Sequence, residues 1–143
     1  MAKIANLRTG YLIKRAELVV RTKLEVAMRD LGLTPGQYTA LSLLSAMPET
    51  SSAQLAREIG VTPQTMAETI MTFEKGGLIH REPSSTHKRV LKISLTPKGK
   101  ALLKTCEARA SKAESALFVQ LSESQIGELR ATLQTVLRSG DDA

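Results

Sequence analysis

The sequence predicts a mainly helical fold interrupted by one small β-hairpin, and three observations carry that expectation. Apolar residues recur at helical spacing along most of the chain. Threonine followed by proline opens three of these segments, at Thr34-Pro35, Thr62-Pro63 and Thr96-Pro97, coupling a side-chain cap to a residue whose fixed φ suits a first turn. Only between residues 78 and 95 does the period change to that of strands. Aromatic residues are 3% of the 143 and Trp is absent, so the core must be aliphatic. The length suits one domain, residues 1–143, or an elongated subunit that completes its core by dimerising.

Ile4, Leu7, Tyr11, Leu18 and Leu24 to Leu31 predict a long amphipathic helix over about residues 5–30, with Lys14, Arg15, Arg21, Lys23 and Arg29 between them and Gly32 at its end. Thr34 caps the next helix, which places Tyr38, Leu41, Leu44 and Met47 on one face and breaks at Pro48-Glu49-Thr50. Ser51 or Ser52 caps the short helix SAQLAREIG, stopped by Gly60. Thr62 caps the following one, with Pro63 at its first position, a buried stripe of Met66, Ile70 and Phe73, and a stop at Gly76-Gly77. Residues 78–82 and 89–95 read as strands, with Leu91, Ile93 and Leu95 alternating with Lys92 and Ser94. Thr96 caps a long helix whose apolar side is Leu102, Leu103, Cys106, Ala110, Ala113 and Leu117. After a bend at Leu121-Ser122, Ser122 and Gln125 form a capping box for the last helix, with Ile126, Leu129, Leu133 and Val136 as its stripe and SGDDA as a frayed end.

The net charge of +6 suits a polyanionic partner, and its distribution says more than its size. Residues 1–31 hold seven Lys/Arg against three Asp/Glu, and residues 77–100 hold six against one. The N-terminal stretch has charges spread through its apolar positions, so it is neither signal peptide nor membrane span, and the chain reads as cytoplasmic with no membrane partner. Enzymatic function is not expected. The histidines are His80 and His87, the single thiol is Cys106 on an apolar face, and there is no Gly-rich phosphate loop, paired-carboxylate motif or metal spacing. No cofactor is expected, and Cys106 reads as a buried structural residue.

Two short helices joined around Gly60-Val61-Thr62 form the helix-turn-helix pattern, in which small Ala56 admits a close crossing and Gly60 a turn that other residues would strain. A hairpin with a basic tip follows directly, so the expected fold is a winged helix-turn-helix. The second helix would enter the major groove of DNA, and the tip would reach the backbone or the minor groove, where cations are attracted. Gln64, Thr65, Glu68 and Thr69 are its exposed N-terminal residues: Gln pairs with an adenine edge, Thr methyls touch thymine methyls, and Glu accepts from cytosine N4. Ser51, Ser52 and Gln54 start the preceding helix, whose free N–H groups can receive a phosphate. Thr86, His87, Lys88 and Arg89 form the wing tip. Phosphates would favour charged His87 and strengthen binding at lower pH; a neutral His87 bonded to its loop is the competing reading.

The segments LTPGQYTALSLL, SAQLAREIGVTPQTMAETIMTFEKGGLIHREP and KRVLKISLTPKGKALL together resemble the multiple antibiotic resistance regulator (MarR) family over about Leu7 to Leu137. That resemblance implies a homodimeric, ligand-responsive transcriptional repressor on a palindromic operator in double-stranded DNA. Residues 34–96 would be the DNA-binding lobe, and residues 4–31 and 97–138 the N- and C-terminal dimerisation helices. It aligns Thr62 to Thr69 with the start of the recognition helix and Arg89 with the wing arginine. His87 stands where most members carry an acidic residue, and Glu68 where many carry a basic one. A small lipophilic or phenolic effector would bind between the lobes, where Tyr11, Met28, Tyr38 and Met47 are the expected lining. The rival reading is a winged-helix protein–protein adaptor, since fold alone does not dictate DNA binding.

Overall fold

The computed structural model describes residues 6–83 and 91–141. Helix α1 spans Thr9–Met28 and continues as a 3₁₀ turn over Arg29–Leu31; α2 is Pro35–Ala46, α3 Ser52–Ile59 and α4 Pro63–Lys75. Strands β1 (Ile79–Pro83) and β2 (Leu91–Leu95) pair antiparallel, and α5 (Pro97–Leu117) and α6 (Glu123–Asp141) complete the chain. This is the expected mainly α architecture with a two-stranded hairpin after a helix-turn-helix. Several bounds differ from expectation, and α1 begins at Thr9 rather than near residue 5. The first helix tightens to 3₁₀ geometry over its last residues, Leu78 belongs to the turn before β1, and α6 stays helical through Ser139 and Gly140.

Every α-helix start after α1 follows from a side-chain cap; α1 begins after Arg8 without one. Thr34, Ser51, Thr62 and Thr96 accept from the backbone N–H three residues on, at 3.1 Å in every case. Thr34 N donates to Gln37 Oε1 at 3.0 Å, and Ser122 N donates to Gln125 Oε1 at 2.9 Å, so two capping boxes form. Caps of this kind contribute about 1 kcal/mol each.

The main core gathers Leu41, Leu44, Leu55, Ala56, Met66, Ile70 and Phe73 with Ile79, Ile93 and Leu95 of the hairpin. Full burial of such side chains contributes roughly 1.5–3 kcal/mol apiece. The register sets Ile79 opposite Leu95 and Arg81 opposite Ile93, leaving His80, Glu82, Lys92 and Ser94 on the other face. One bond, Ile93 N to Pro48 O at 3.2 Å, extends the sheet edge toward the α2–α3 connection. A smaller cluster joins α1 to α5 through Met28, Cys106 and Ala110.

Candidate nucleic-acid interface

The helix-turn-helix is closed by Gly60, which caps α3 in the left-handed conformation at φ 81°. Gly60 N and Val61 N both donate to Ala56 O, at 2.9 and 3.0 Å, so the chain turns within three residues and α4 crosses α3 closely. Leu55 and Ala56 are buried beneath the crossing, as are Met66, Ile70 and Phe73 of α4. The opposite side of α4 faces solvent along Gln64, Glu68, Met71 and Lys75.

The polar groups on that exposed side are arranged unequally. Thr62 Oγ1 donates to Thr65 Oγ1 at 2.9 Å, Thr69 donates to Thr65 O at 2.9 Å, and Thr72 donates to Glu68 O at 2.9 Å. These hydroxyls are turned back onto their own helix. Gln64 Nε2 instead donates to Glu68 Oε1 at 3.4 Å. Thr62, Gln64, Thr65 and Glu68 are exposed, while Thr69 is half-buried at the edge of the row. On α3, Ser51 is spent as the cap, Ser51 and Ser52 are half-buried and Gln54 is exposed. The α3 and α4 candidates are thus brought to neighbouring helices of one motif. Thr86, His87, Lys88 and Arg89 lie outside the described residues.

Three contacts that the sequence did not announce hold this motif to α5. Thr96 Oγ1 donates to Gly77 O at 2.6 Å, Thr96 N to Leu78 O at 2.9 Å, and Lys98 Nζ to Gly76 O at 2.9 Å. Successive carbonyls at the end of α4 are captured by the first turn of α5. Gly99 makes this possible, because a Cβ there would stand 2.1 Å from Leu78 O. The signal was present as the segment TPKG, but it reads only as a cap and a proline until the neighbour is known. Arg81 also pairs with Glu74, tying β1 to α4.

Farther from the motif, Arg109 forks onto Asp30 at 2.7 and 3.0 Å and donates to Ala27 O at 3.0 Å, joining α5 to the end of α1. Arg109's hydrogen bond holds the Asp30 carboxyl below its usual range. Ser42 donates to Glu107 Oε1 at 3.2 Å, linking α2 to α5. Burial, reinforced by Glu107, pushes the Tyr38 phenol up to about 12. Burial likewise raises the Cys106 thiol, which keeps it protonated and inert.

An open cleft of about 1410 Å³ lies between α1, the start of α2, the α3–α4 turn and α6. Leu12, Val20, Leu24, Ile59, Val61 and Phe118 give it apolar walls, and its charged residues are Glu17, Arg21, Glu25, Arg29 and Glu58, of which Arg21 and Glu17 pair at 3.1 Å. The residues expected to line an effector site are not gathered here. Met28 is fully buried against Cys106 and Ala110, and Tyr38 packs on that same cluster. Tyr11 is exposed on α1 with its hydroxyl accepting from Arg15 at 3.4 Å, and Met47 caps the end of α2. The reason is helical phase: the α1 stripe on the cleft runs through Leu12, Ala16, Val20 and Leu24, and Tyr11 is turned off it.

Among the described residues no group of three metal-ligating side chains occurs, and no helix is long and apolar enough to cross a membrane. Comparison with known proteins identifies the relatives of this arrangement. A family model described as MarR family matches residues 31–90. The HTH-type transcriptional repressor Rv2887 of Mycobacterium tuberculosis is 36% identical over 125 residues, covering 87% of this chain and 90% of that protein. The crystal structure of the M. tuberculosis MarR family protein Rv2887 with DNA superposes with a TM-score of 0.75 at 32% identity, over 92% of this chain and 98% of the other. Its complex with p-aminosalicylic acid gives 0.78 at 34%, over 91% and 98%.

Proposed function

The chain belongs to the MarR family, and from that premise we propose that it is a ligand-responsive transcriptional repressor that binds double-stranded operator DNA as a homodimer. The observation that carries this reading is the exposed face of α4, held at a fixed angle by Gly60 on one side and by Thr96, Lys98 and Gly99 on the other. A relative of 32% identity is described in complex with DNA over the same fold. Residues 34–96 serve as the DNA-binding lobe, with α3 receiving a phosphate and α4 reading bases. Lys88 and Arg89 supply the wing contact. The protein works as a non-enzymatic factor in the cytoplasm.

Dimerisation is supported by the apolar residues that α1 and α6 leave exposed, among them Leu12, Leu18, Val19, Leu133, Val136 and Leu137. Left in water they would form an exposed patch of the kind that marks an association surface. The cleft supports the ligand reading. Its volume exceeds the roughly 300–1,000 Å³ of a small-molecule site, so helices of a second copy would occupy part of it. The remainder is apolar, with Glu17, Glu25 and Glu58 lining it as well as Arg21 and Arg29. Arg21 is paired with Glu17 at 3.1 Å, so Arg29 is the cation to meet a small aromatic acid, in keeping with a relative described with p-aminosalicylic acid.

The test is operator binding by the full chain. Bound fragments selected from genomic DNA should share an inverted repeat with half-sites about 34–36 Å apart, one helical turn. Affinity should fall with salt at a log–log slope of about −0.9 per phosphate contact, and p-aminosalicylate should weaken it. Salt-independent retention on DNA, or a monomer at micromolar concentration, would refute the proposal and favour an adaptor.

A further inference from the structure

We infer that Glu68, oriented by Gln64, is the residue that sets operator sequence, reading a cytosine in each half-site; this rests on the DNA-binding reading above. Glu68 sits at the centre of the exposed row of α4 and is the only ionisable residue from Pro63 to Phe73. The remaining charges of the helix lie at its far end, where Glu74 is engaged by Arg81.

The hydrogen bonds divide the labour of the face. With the Thr69 and Thr72 hydroxyls donating to carbonyls of their own helix, those side chains have methyls rather than donors to offer, while Thr65 Oγ1 accepts from Thr62 and keeps its hydroxyl hydrogen. Beside the Thr65 hydroxyl, Gln64 and Glu68 are the longer polar side chains that can reach base edges. Gln64 gives one amide hydrogen to Glu68 Oε1 in a long bond of 3.4 Å, which biases the carboxylate toward Gln64. The second oxygen remains an acceptor, and cytosine N4 is the donor that a major groove offers without an adjoining acceptor on the same base. Guanine in that place would present O6 and N7, and a carboxylate facing two acceptors is repelled. Gln64 keeps its second amide hydrogen and its oxygen, the pairing needed for adenine N7 and N6. Residues four apart on a helix are about 6 Å apart along its axis, or one to two base-pair steps at roughly 3.4 Å. The couple therefore reads an adenine and a cytosine at adjacent or next-adjacent pairs.

A carboxylate in the groove also weakens attraction to phosphates everywhere. Glu68 thus trades general affinity for discrimination.

The experiment selects bound duplexes from a randomised pool with the full-length wild type, Glu68→Ala, Glu68→Gln and Gln64→Ala, with circular dichroism to verify folding. Wild type should recover a fixed cytosine in each half-site. Glu68→Ala should lose that preference, by about tenfold or more, keep the neighbouring positions and bind random duplex more tightly. Glu68→Gln should shift the same position toward adenine, and Gln64→Ala should relax the adenine beside it. An unchanged cytosine preference in Glu68→Ala, or a wild-type site with no fixed cytosine, overturns the inference while leaving the repressor reading intact. Failure of the wild type to select any shared sequence overturns both.

Discussion

Replacing Gly99 with alanine should separate the end of α4 from the first turn of α5. The added Cβ would stand 2.1 Å from Leu78 O, 3.0 Å from Leu78 C and 3.4 Å from Leu78 Cα. A carbon approaching a carbonyl oxygen needs about 3.3 Å even in a favourable C–H···O contact. The first turn of α5 must therefore withdraw by about 1 Å. The obstacle is backbone, so no side chain can rotate out of the way. Overpacking of this kind costs about 1–3 kcal/mol. The withdrawal also stretches the bonds from Thr96 N to Leu78 O and from Thr96 Oγ1 to Gly77 O, each with a net contribution of about 0.5–1.5 kcal/mol. Alanine restricts the unfolded chain and returns about 0.4–1 kcal/mol. The expected outcome is a loss of roughly 2–4 kcal/mol, large beside a typical 5–15 kcal/mol stability. Urea unfolding followed by far-ultraviolet circular dichroism, at one fixed protein concentration, gives the number. Gly36→Ala is the control, because its Cβ would meet only Thr34 Oγ1 at 3.9 Å. If Gly99→Ala is as stable as wild type and keeps full operator affinity, the close approach is not what positions α4.

Three further outcomes are expected. The Tyr38 phenol is held up to about 12 against 10.0 when free, so folding favours its proton: that contribution is whole below pH 10 and lost as pH rises through 12. The stability difference between wild type and Tyr38→Phe should therefore be constant up to pH 10 and shrink above it; a flat difference to pH 12 would contradict the burial and Glu107 effects. Asp30 is lowered from 3.8 by Arg109, so its contribution is present above pH 3.8 and lost as pH falls through the lower folded value. Asp30→Asn should be less sensitive to acid than wild type in the same pH series. Lys88→Ala with Arg89→Ala should weaken binding to all sequences alike and flatten the salt slope by about 0.9 per lost phosphate contact, measured by fluorescence anisotropy; an unchanged slope would remove the wing from the interface.

How much could be read in advance depended on how far apart the interacting groups lie in the chain. Thr34, Ser51, Thr62, Thr96 and Ser122 each bond a partner three residues away, so composition and spacing reveal the helix starts. The stripe of Met66, Ile70 and Phe73, the alternation of Ile93 and Leu95 and the Gly60 turn are equally local and led to the helix-turn-helix and the hairpin, as the apolar side through Leu102, Cys106 and Ala110 led to the burial of Cys106. The candidate residues on α3 and α4 were legible for the same reason, since a helix with one buried stripe must present the other side.

What stayed hidden were relations between elements. Gly99 looks like an ordinary helical glycine until Leu78, on another element, arrives against it. Arg109 and Asp30 are 79 residues apart, and nothing in either segment points to the other. The cleft is walled by residues of α1, α2, the α3–α4 turn and α6, whereas Tyr11, Met28, Tyr38 and Met47, each plausible as a lining residue, fell into three different surroundings. Local periodicity says which side of a helix is buried but not against what. That choice is made by the crossing of whole helices, where rotation of a few tens of degrees carries a side chain from cavity wall to core.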